Sequence, residues 1–345
     1  MNQPHERYSR QIRFTPIGAV GQTKLAEARA VVIGMGALGS VLAQHLVRSG
    51  VGFVRIIDRD IVEWSNLQRQ MLYTEQDAMD MLPKADAAAA RLRAINSEVD
   101  VQPIAADLSS LNAEELLDGA DLILDGTDNF SVRYLINDYS VKYGVPWIYG
   151  GAVGASGMTM TVVPGDTPCY RCLFPEHPLP GAADTCETAG VISPVIDVIA
   201  SIQATEALKL LSGRRETLHR TLMQIDLWSH SWLPLAISNS RRLDCPTCAL
   251  HQFDHLSQRR LEPIAAALCG RQSVHITPAV LTELQLEAME NLLSNAGEVT
   301  RNAFLLKLKM SSGMTFVLFR DGRAIIQGTE DSTKARSIYA ELLGI

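Results

Sequence analysis

Short apolar runs and longer amphipathic runs take turns along the first 150 residues. "AVVI" (30–33) and "FVRIID" (53–58) read as strands. Between them "ALGSVLAQHLVRSG" (37–50) reads as a helix, with Leu38, Val41, Leu42 and Leu46 on one face and Gly50 as its stop. "PKADAAAARLRAIN" (83–96) predicts a helix with Pro83 in its first turn. "VDVQPIAA" (99–106) and "ADLILDGT" (120–127) predict strands, "NFSVRYLINDYSVKYG" (129–144) a helix, and "PWIYGGA" the start of another strand. Strands alternating with helices specify a doubly wound, mostly parallel α/β sheet of Rossmann type. "GMTMTVVPG" and "HRTLMQID" lack intervening short helices, so the sheet is expected to continue with antiparallel strands.

The grammar changes near residue 255. One domain is expected over 1–255 and a small α+β domain over 263–345. In the tail, "LTELQLEAMENLLSNAG" is an amphipathic helix, and "AFLLKLKM", "MTFVLFRDGRAIIQGT" and "TKARSIYAELLG" give a strand, a hairpin turning at Asp-Gly, and a helix. The 345-residue length agrees with a main domain plus an appendage. A net charge of −7 disfavours a nucleic-acid partner. "MNQPHERYSRQIRF" lacks an apolar leader core, so the expected location is cytoplasmic. The apolar stretch 189–213 is interrupted by Asp197, Glu206 and Lys209, which favours a buried core helix over a membrane span.

Five groups of residues carry candidate chemistry. Gly34, Gly36 and Gly39 form G-x-G-x-x-G between a strand and a helix, where backbone amides can cradle phosphate. Asp58 lies at the end of the next strand, where a carboxylate can accept ribose hydroxyls. These leave NAD and ATP both open. The following Asn66, Arg69 and Gln70, with Lys84 at a helix start, favour a polyphosphate and therefore ATP. Asp125 and Asp128 end a strand. A carboxylate such as Asp128 beside a triphosphate suits Mg²⁺, and Asp128 could also cap the next helix.

Cys169-x-x-Cys172 and Cys245-x-x-Cys248 together predict a closed, structural Cys₄ zinc site stapling remote segments; redox pairs and disulfides are the alternatives. Cys186, in "ADTCETAGV", precedes an apolar helix and is either a nucleophile or an incidental loop thiol.

"RYSRQ", "GMGALG", "DRD…SNLQRQ", "PK", "DGTDN", "CYRC", "TCETAGV" and "CPTC" together resemble the ThiF/MoeB/HesA family, the bacterial relatives of ubiquitin-activating enzymes, over residues 5–250. The resemblance implies that ATP adenylylates the C-terminal Gly-Gly carboxylate of a ubiquitin-like sulfur carrier, in thiamine-thiazole or molybdopterin biosynthesis. It gives Asp58 the ribose, the three glycines the phosphate loop, Asn66, Arg69 and Lys84 the phosphates, and Asp128 the Mg²⁺. It implies a homodimer in which Arg10 reaches the neighbouring subunit's triphosphate. It also implies a sulfur donor such as a cysteine desulfurase, with Cys186 a candidate for sulfur transfer. The tail is no rhodanese: its one cysteine, Cys269, stands at its start. A docking or dimer-supporting role is expected for it. The competing functions are an NAD(P)-dependent oxidoreductase, which leaves Asn66, Arg69, Lys84, Asp128 and the paired cysteines unexplained, and an inert nucleotide-binding scaffold.

Overall fold

The computed structural model describes residues 4–177, 188–257, 264–268, 273–278 and 283–344. Cys186 and Cys269 lie outside them. The chain divides into two compact units, Met1–Arg259 and Arg260–Ile345.

The first unit is built on one eight-stranded sheet. Its strands are β1 (Arg29–Ile33), β2 (Phe53–Ile57), β3 (Asp100–Ile104), β4 (Leu122–Asp125), β5 (Trp147–Val153), β6 (Ser156–Val162), β7 (Thr221–Asp226) and β8 (Ser231–Ala236). The order is β3-β2-β1-β4-β5-β6-β7-β8. The first five are parallel, and β6 to β8 continue antiparallel, as the sequence pattern led one to expect. The principal helices are α1 (Gly18–Glu27), α2 (Ala37–Ser49), α3 (Lys84–Ile95), α4 (Phe130–Tyr143) and α5 (Ser193–Leu211).

The strand alternation sorts side chains to two cores. Val32, Val54, Ile56 and Leu124 join α2, α3 and α5 on one face. Val31, Ile33, Ile57 and Ile123 join α4 on the other, with Cys169, Cys172 and Cys245. Burying both faces is why these strands read as continuous apolar runs. The apolar stretch before residue 213 forms α5, with Glu206 paired to Lys209 at 2.6 Å. No helix among the described residues is long and apolar enough to cross a membrane.

Strand β8 departs from the sequence reading, which assigned no element there. It is an exposed edge strand carrying Pro234, which cannot donate to a ladder and so weakens the strand signal.

The second unit holds a six-stranded antiparallel sheet. It comprises β9 (Ile264–Leu268), β10 (Ser273–Thr277), β11 (Gly297–Arg301), β12 (Leu305–Met310), β13 (Thr315–Phe319) and β14 (Ala324–Gln327). The order is β11-β12-β13-β14-β10-β9. Helices α6 (Leu286–Leu293) and α7 (Ser332–Leu343) cover one face with Leu286, Leu293, Ala335 and Ile338. The hairpin at Asp321-Gly322 and both helices match the sequence reading. Strands β9, β10 and β11 exceed it.

Candidate functional site

Strands β1 and β4 are neighbours whose connections run to opposite sides of the sheet. Ligands of open α/β sheets bind at such a switch point, beyond the strands' carboxyl ends. Two loops meet there: the glycine loop after β1 and the turn Gly126–Asn129 after β4.

Three of the glycines there are required by close packing. Gly34 adopts φ +82°, a left-handed conformation that side chains disfavour. A Cβ on Gly39 would collide with the Gly34 carbonyl, 2.8 Å from its carbon. One on Gly126 would lie 2.6 Å from the Gly34 oxygen and 2.8 Å from Gly39 Cα. The two loops therefore touch backbone to backbone. Gly36 differs. Among the described residues a Cβ there would meet only Gln70 Nε2, at 3.8 Å. Its lack of a side chain is unexplained by the protein's own packing and leaves the N-terminus of α2 open to an incoming group.

A buried polar frame supports this loop. Met35 N donates to Asp58 Oδ2 at 2.6 Å, and Asp60 N to Asp58 Oδ1 at 2.7 Å. Each carboxylate oxygen keeps acceptor capacity beyond that one bond. Burial pushes the Asp58 carboxyl above its ordinary value, and nearby Lys84 opposes the shift. Lys84 is itself buried and pairs with Asp60 Oδ2 at 3.1 Å. Tyr73 OH donates to Met35 O at 2.6 Å and to Lys84 O at 3.2 Å. Burial raises the Tyr73 phenol well above its usual range, so it stays a donor.

Asn66 is buried too. Its Oδ1 accepts from Glu63 N at 3.1 Å, and its carbonyl accepts from Arg69 N and Gln70 N. The Gln70 Oε1 is buried and has no hydrogen-bond partner among the described residues. Arg69 is half-buried, held at one nitrogen by Ser65 O at 2.9 Å.

The second loop is fastened differently. Asp125 Oδ1 accepts from Thr127 N at 2.9 Å and Thr127 Oγ1 at 2.8 Å. Arg133 Nε donates to Asp125 Oδ2 at 2.9 Å, and its Nη2 to Thr127 O at 2.7 Å and Gly150 O at 3.1 Å. Burial alone would pull the Arg133 guanidinium down. The Asp125 carboxylate outweighs it and holds the arginine above its ordinary value. The cap of α4 is Asn129, whose Oδ1 accepts from Val132 N at 3.3 Å. That corrects the expectation of an Asp128 cap. Asp128 is exposed, and its carboxylate takes no hydrogen bond or ion pair from any described residue.

The structure thus gathers Gly34, Gly36, Gly39, Asp58, Asn66 and Lys84 around one loop and sets the Asp128 turn against it. It does not bring Arg10 to this loop. The neighbouring Gln11 donates to Ser49 O at the far end of α2, whose 13 residues put that end roughly 20 Å from the glycine loop. Sequence reasoning missed Asp60, Tyr73 and Arg133. The one available signal for Arg133 was a charged residue among the apolar positions Val132, Leu135 and Ile136 of the helix.

On the far side of α4 the four paired cysteines converge. Their sulfurs lie 3.4, 3.6 and 3.9 Å apart in three pairs, and all within 4.8 Å. Disulfide sulfurs would be about 2.05 Å apart. Tetrahedral thiolates at 2.3 Å from a zinc ion would be about 3.8 Å apart. The set therefore suits a four-coordinate metal ion. Helix α4 grips both knuckles: Asn137 Oδ1 accepts from Tyr170 N at 2.8 Å, and Asp138 Oδ1 from Thr247 Oγ1 at 2.9 Å.

Comparison with known proteins agrees with this geometry. The model of the ThiF family matches residues 8–247. The chain is 49% identical over 339 residues to the sulfur carrier protein ThiS adenylyltransferase of Bacillus subtilis, covering 98% of this chain and 99% of the relative. It is 39% identical over 243 residues to the enzyme of that name from Escherichia coli, covering 70% and 94%. The crystal structure of E. coli MccB with ATP superposes with a TM-score of 0.61 at 26% identity, covering 70% of this chain and 74% of that one.

Proposed function

The chain belongs to the ThiF family, and from that premise we propose that it adenylylates the C-terminal carboxylate of a ThiS-type, Gly-Gly-ended sulfur carrier. A carboxylate oxygen of the carrier attacks the α-phosphorus of ATP. The bond from that phosphorus to the bridging oxygen breaks, pyrophosphate leaves, and an acyl-adenylate remains. The observation that carries this reading is the match to the Bacillus subtilis relative along nearly the whole of both chains, second unit included. The open Gly36 position at the sheet's switch point supports it.

The residues divide the work by chemistry. Asp58 accepts the ribose hydroxyls with the acceptor capacity its two backbone contacts leave. Gly36 and the first amides of α2 receive phosphate. Arg69 and Lys84 neutralise the polyphosphate, and Asn66 shapes the loop that presents Arg69. No general base is needed, because the attacking carboxylate is ionised at neutral pH. Catalysis comes from positioning and charge neutralisation.

Mg²⁺ suits Asp128, an unengaged carboxylate beside the loop, since that ion takes one or two carboxylates plus phosphate oxygens. Zn²⁺ suits the four cysteines, and it would be structural because the four sulfurs close its shell. Arg10 serves the site of a second copy in a homodimer, a reading supported by its exposure and its place at the far end of α2. Cys186 is the candidate acceptor of sulfur from a donor such as a cysteine desulfurase.

The test is ATP–pyrophosphate exchange with a purified Gly-Gly-ended carrier. Wild type exchanges. Arg69→Ala and Asp128→Ala lose exchange by about 10²-fold or more. Cys186→Ala retains it. Normal exchange by Asp128→Ala removes the Mg²⁺ assignment, and no exchange by wild type with any carrier removes the function.

A further inference from the structure

We infer that Arg133 is a positioning residue for the reaction, acting through Asp125 and Thr127 to hold the turn that carries Asp128. The inference rests on the adenylylation reading for what Asp128 does. It rests on the structure alone for what Arg133 does.

The turn Gly126–Asn129 has four consecutive residues with four different duties. Gly126 packs on the glycine loop. Thr127 is fixed at three atoms: its N–H and hydroxyl donate to Asp125, and its carbonyl accepts from Arg133. Asn129 caps α4 and donates its own N–H to Thr127 Oγ1 at 3.4 Å. Asp128 alone has its side chain turned to solvent without a partner among the described residues. Its neighbours on both sides are therefore held, and its carboxylate is presented.

Arg133 is the hub of that fastening. A single buried guanidinium bridges the end of β4 through Asp125, the turn through Thr127 O, and β5 through Gly150 O. Its ring neighbours Phe130 and Tyr149, 5.2 and 5.0 Å from the guanidinium carbon, complete its surroundings. The planar fork is what spans three acceptors at fixed angles, and a lysine ammonium cannot span them. Neither Asp125 nor Arg133 needs to touch nucleotide. Their product is a backbone shape.

The experiment uses the full-length chain and two readouts. The first is the Mg²⁺ concentration that half-saturates ATP–pyrophosphate exchange with a Gly-Gly-ended carrier. The second is amide hydrogen exchange over Thr127–Val132 in the absence of nucleotide. In Arg133→Lys the half-saturating Mg²⁺ is expected to rise about tenfold, more than the rate at saturating Mg²⁺ falls, and the turn's amides to exchange about tenfold faster. Thr127→Val keeps the Arg133–Asp125 pair and removes only the hydroxyl contacts. It is expected to shift both readouts in the same direction by about threefold, and it carries the test should Arg133→Lys fail to fold. Wild-type amide exchange in the variants overturns the inference whatever their activity. Faster amides with unchanged Mg²⁺ dependence also overturn it, because the role would then be structural only. A wild-type chain silent in the exchange assay defeats the adenylylation reading instead, and the amide measurement still reads the turn.

Discussion

Gly36 and Gly39 stand three residues apart in one motif, and the structure assigns them opposite sensitivities. In Gly39→Ala the new methyl lies 2.8 Å from the Gly34 carbonyl carbon and overlaps its oxygen. Comfortable carbon–carbon contact is about 3.5–4.0 Å, so α2 or the loop must retreat by roughly 1 Å. Neither is free to do so. Gly126 packs so closely on Gly34 and Gly39 that it has no room for a Cβ of its own, and Gly34 N is bonded to Ile57 O at 2.7 Å. Separating β1, α2 and β4 in this way should cost about 4 kcal/mol or more, the range of severe core disruptions. At 2–4 °C per kcal/mol for a domain this size, melting should fall by about 8–16 °C. Among the described residues Gly36→Ala meets nothing closer than 3.8 Å. Its cost is the cap preference of glycine over alanine, about 1 kcal/mol, or a few degrees. Its effect falls on the ligand. A methyl at the point of phosphate approach should weaken ATP by about 30-fold, equivalent to about 2 kcal/mol. Differential scanning calorimetry and titration calorimetry with ATP separate the two outcomes. A Gly39→Ala chain melting like wild type would refute the packing argument, and a Gly36→Ala chain binding ATP normally would refute the placement of the ligand.

Two further measurements address groups away from the loop. His255 is held down to about 4 by burial, with His177 and Arg171 adding to the effect. A histidine whose folded value is depressed costs stability as pH falls from about 6.5 toward 4, because the unfolded chain takes up the proton first. The full shift would be worth about 3.4 kcal/mol; the group is only partly buried, so about 1–2 kcal/mol is expected. His255→Phe should flatten the fall of melting temperature over that window, and an unchanged slope would assign the acid sensitivity elsewhere. Removing metal from the cysteine cluster by chelation, with zinc followed by mass spectrometry, should lower melting by about 8 °C or more. A metal-free chain that melts like the loaded one would show the four thiols stable without an ion.

The sequence revealed β1, β4 and the start of β5 most clearly because those segments are buried on both faces and carry nearly unbroken apolar runs. Strands β8 and β11 escaped for the opposite reason. Each is an edge, largely exposed, and needs little apolar character; β8 even tolerates Pro234. Strand β9 is the alanine-rich "IAAAL", a composition that favours helix as much as strand. At the site, the glycines, Asp58 and the cysteines were legible because their spacing is fixed by backbone geometry. The partnering of Lys84 with Asp60, and of Arg133 with Asp125, was not legible. Such pairs depend on how separate loops meet in space, which no local pattern encodes. Asn129, not Asp128, became the cap because in an Asp-Asn pair either residue can begin a helix, and the register was decided by Thr127 being tied back to Asp125.

Helix α4 begins at the Asp128 turn and, two turns later, holds both cysteine knuckles through Asn137 and Asp138. Roughly 10 Å of one rigid rod therefore separates the anchor of the turn from the anchor of the sulfurs. A tilt or a slide of the rod would move both ends together. Loss of the sulfur cluster is therefore expected to lower exchange activity as well as melting temperature, measured on one preparation before and after chelation. Counting sulfur oxidation and bound metal belongs in the definition of one unit of this enzyme.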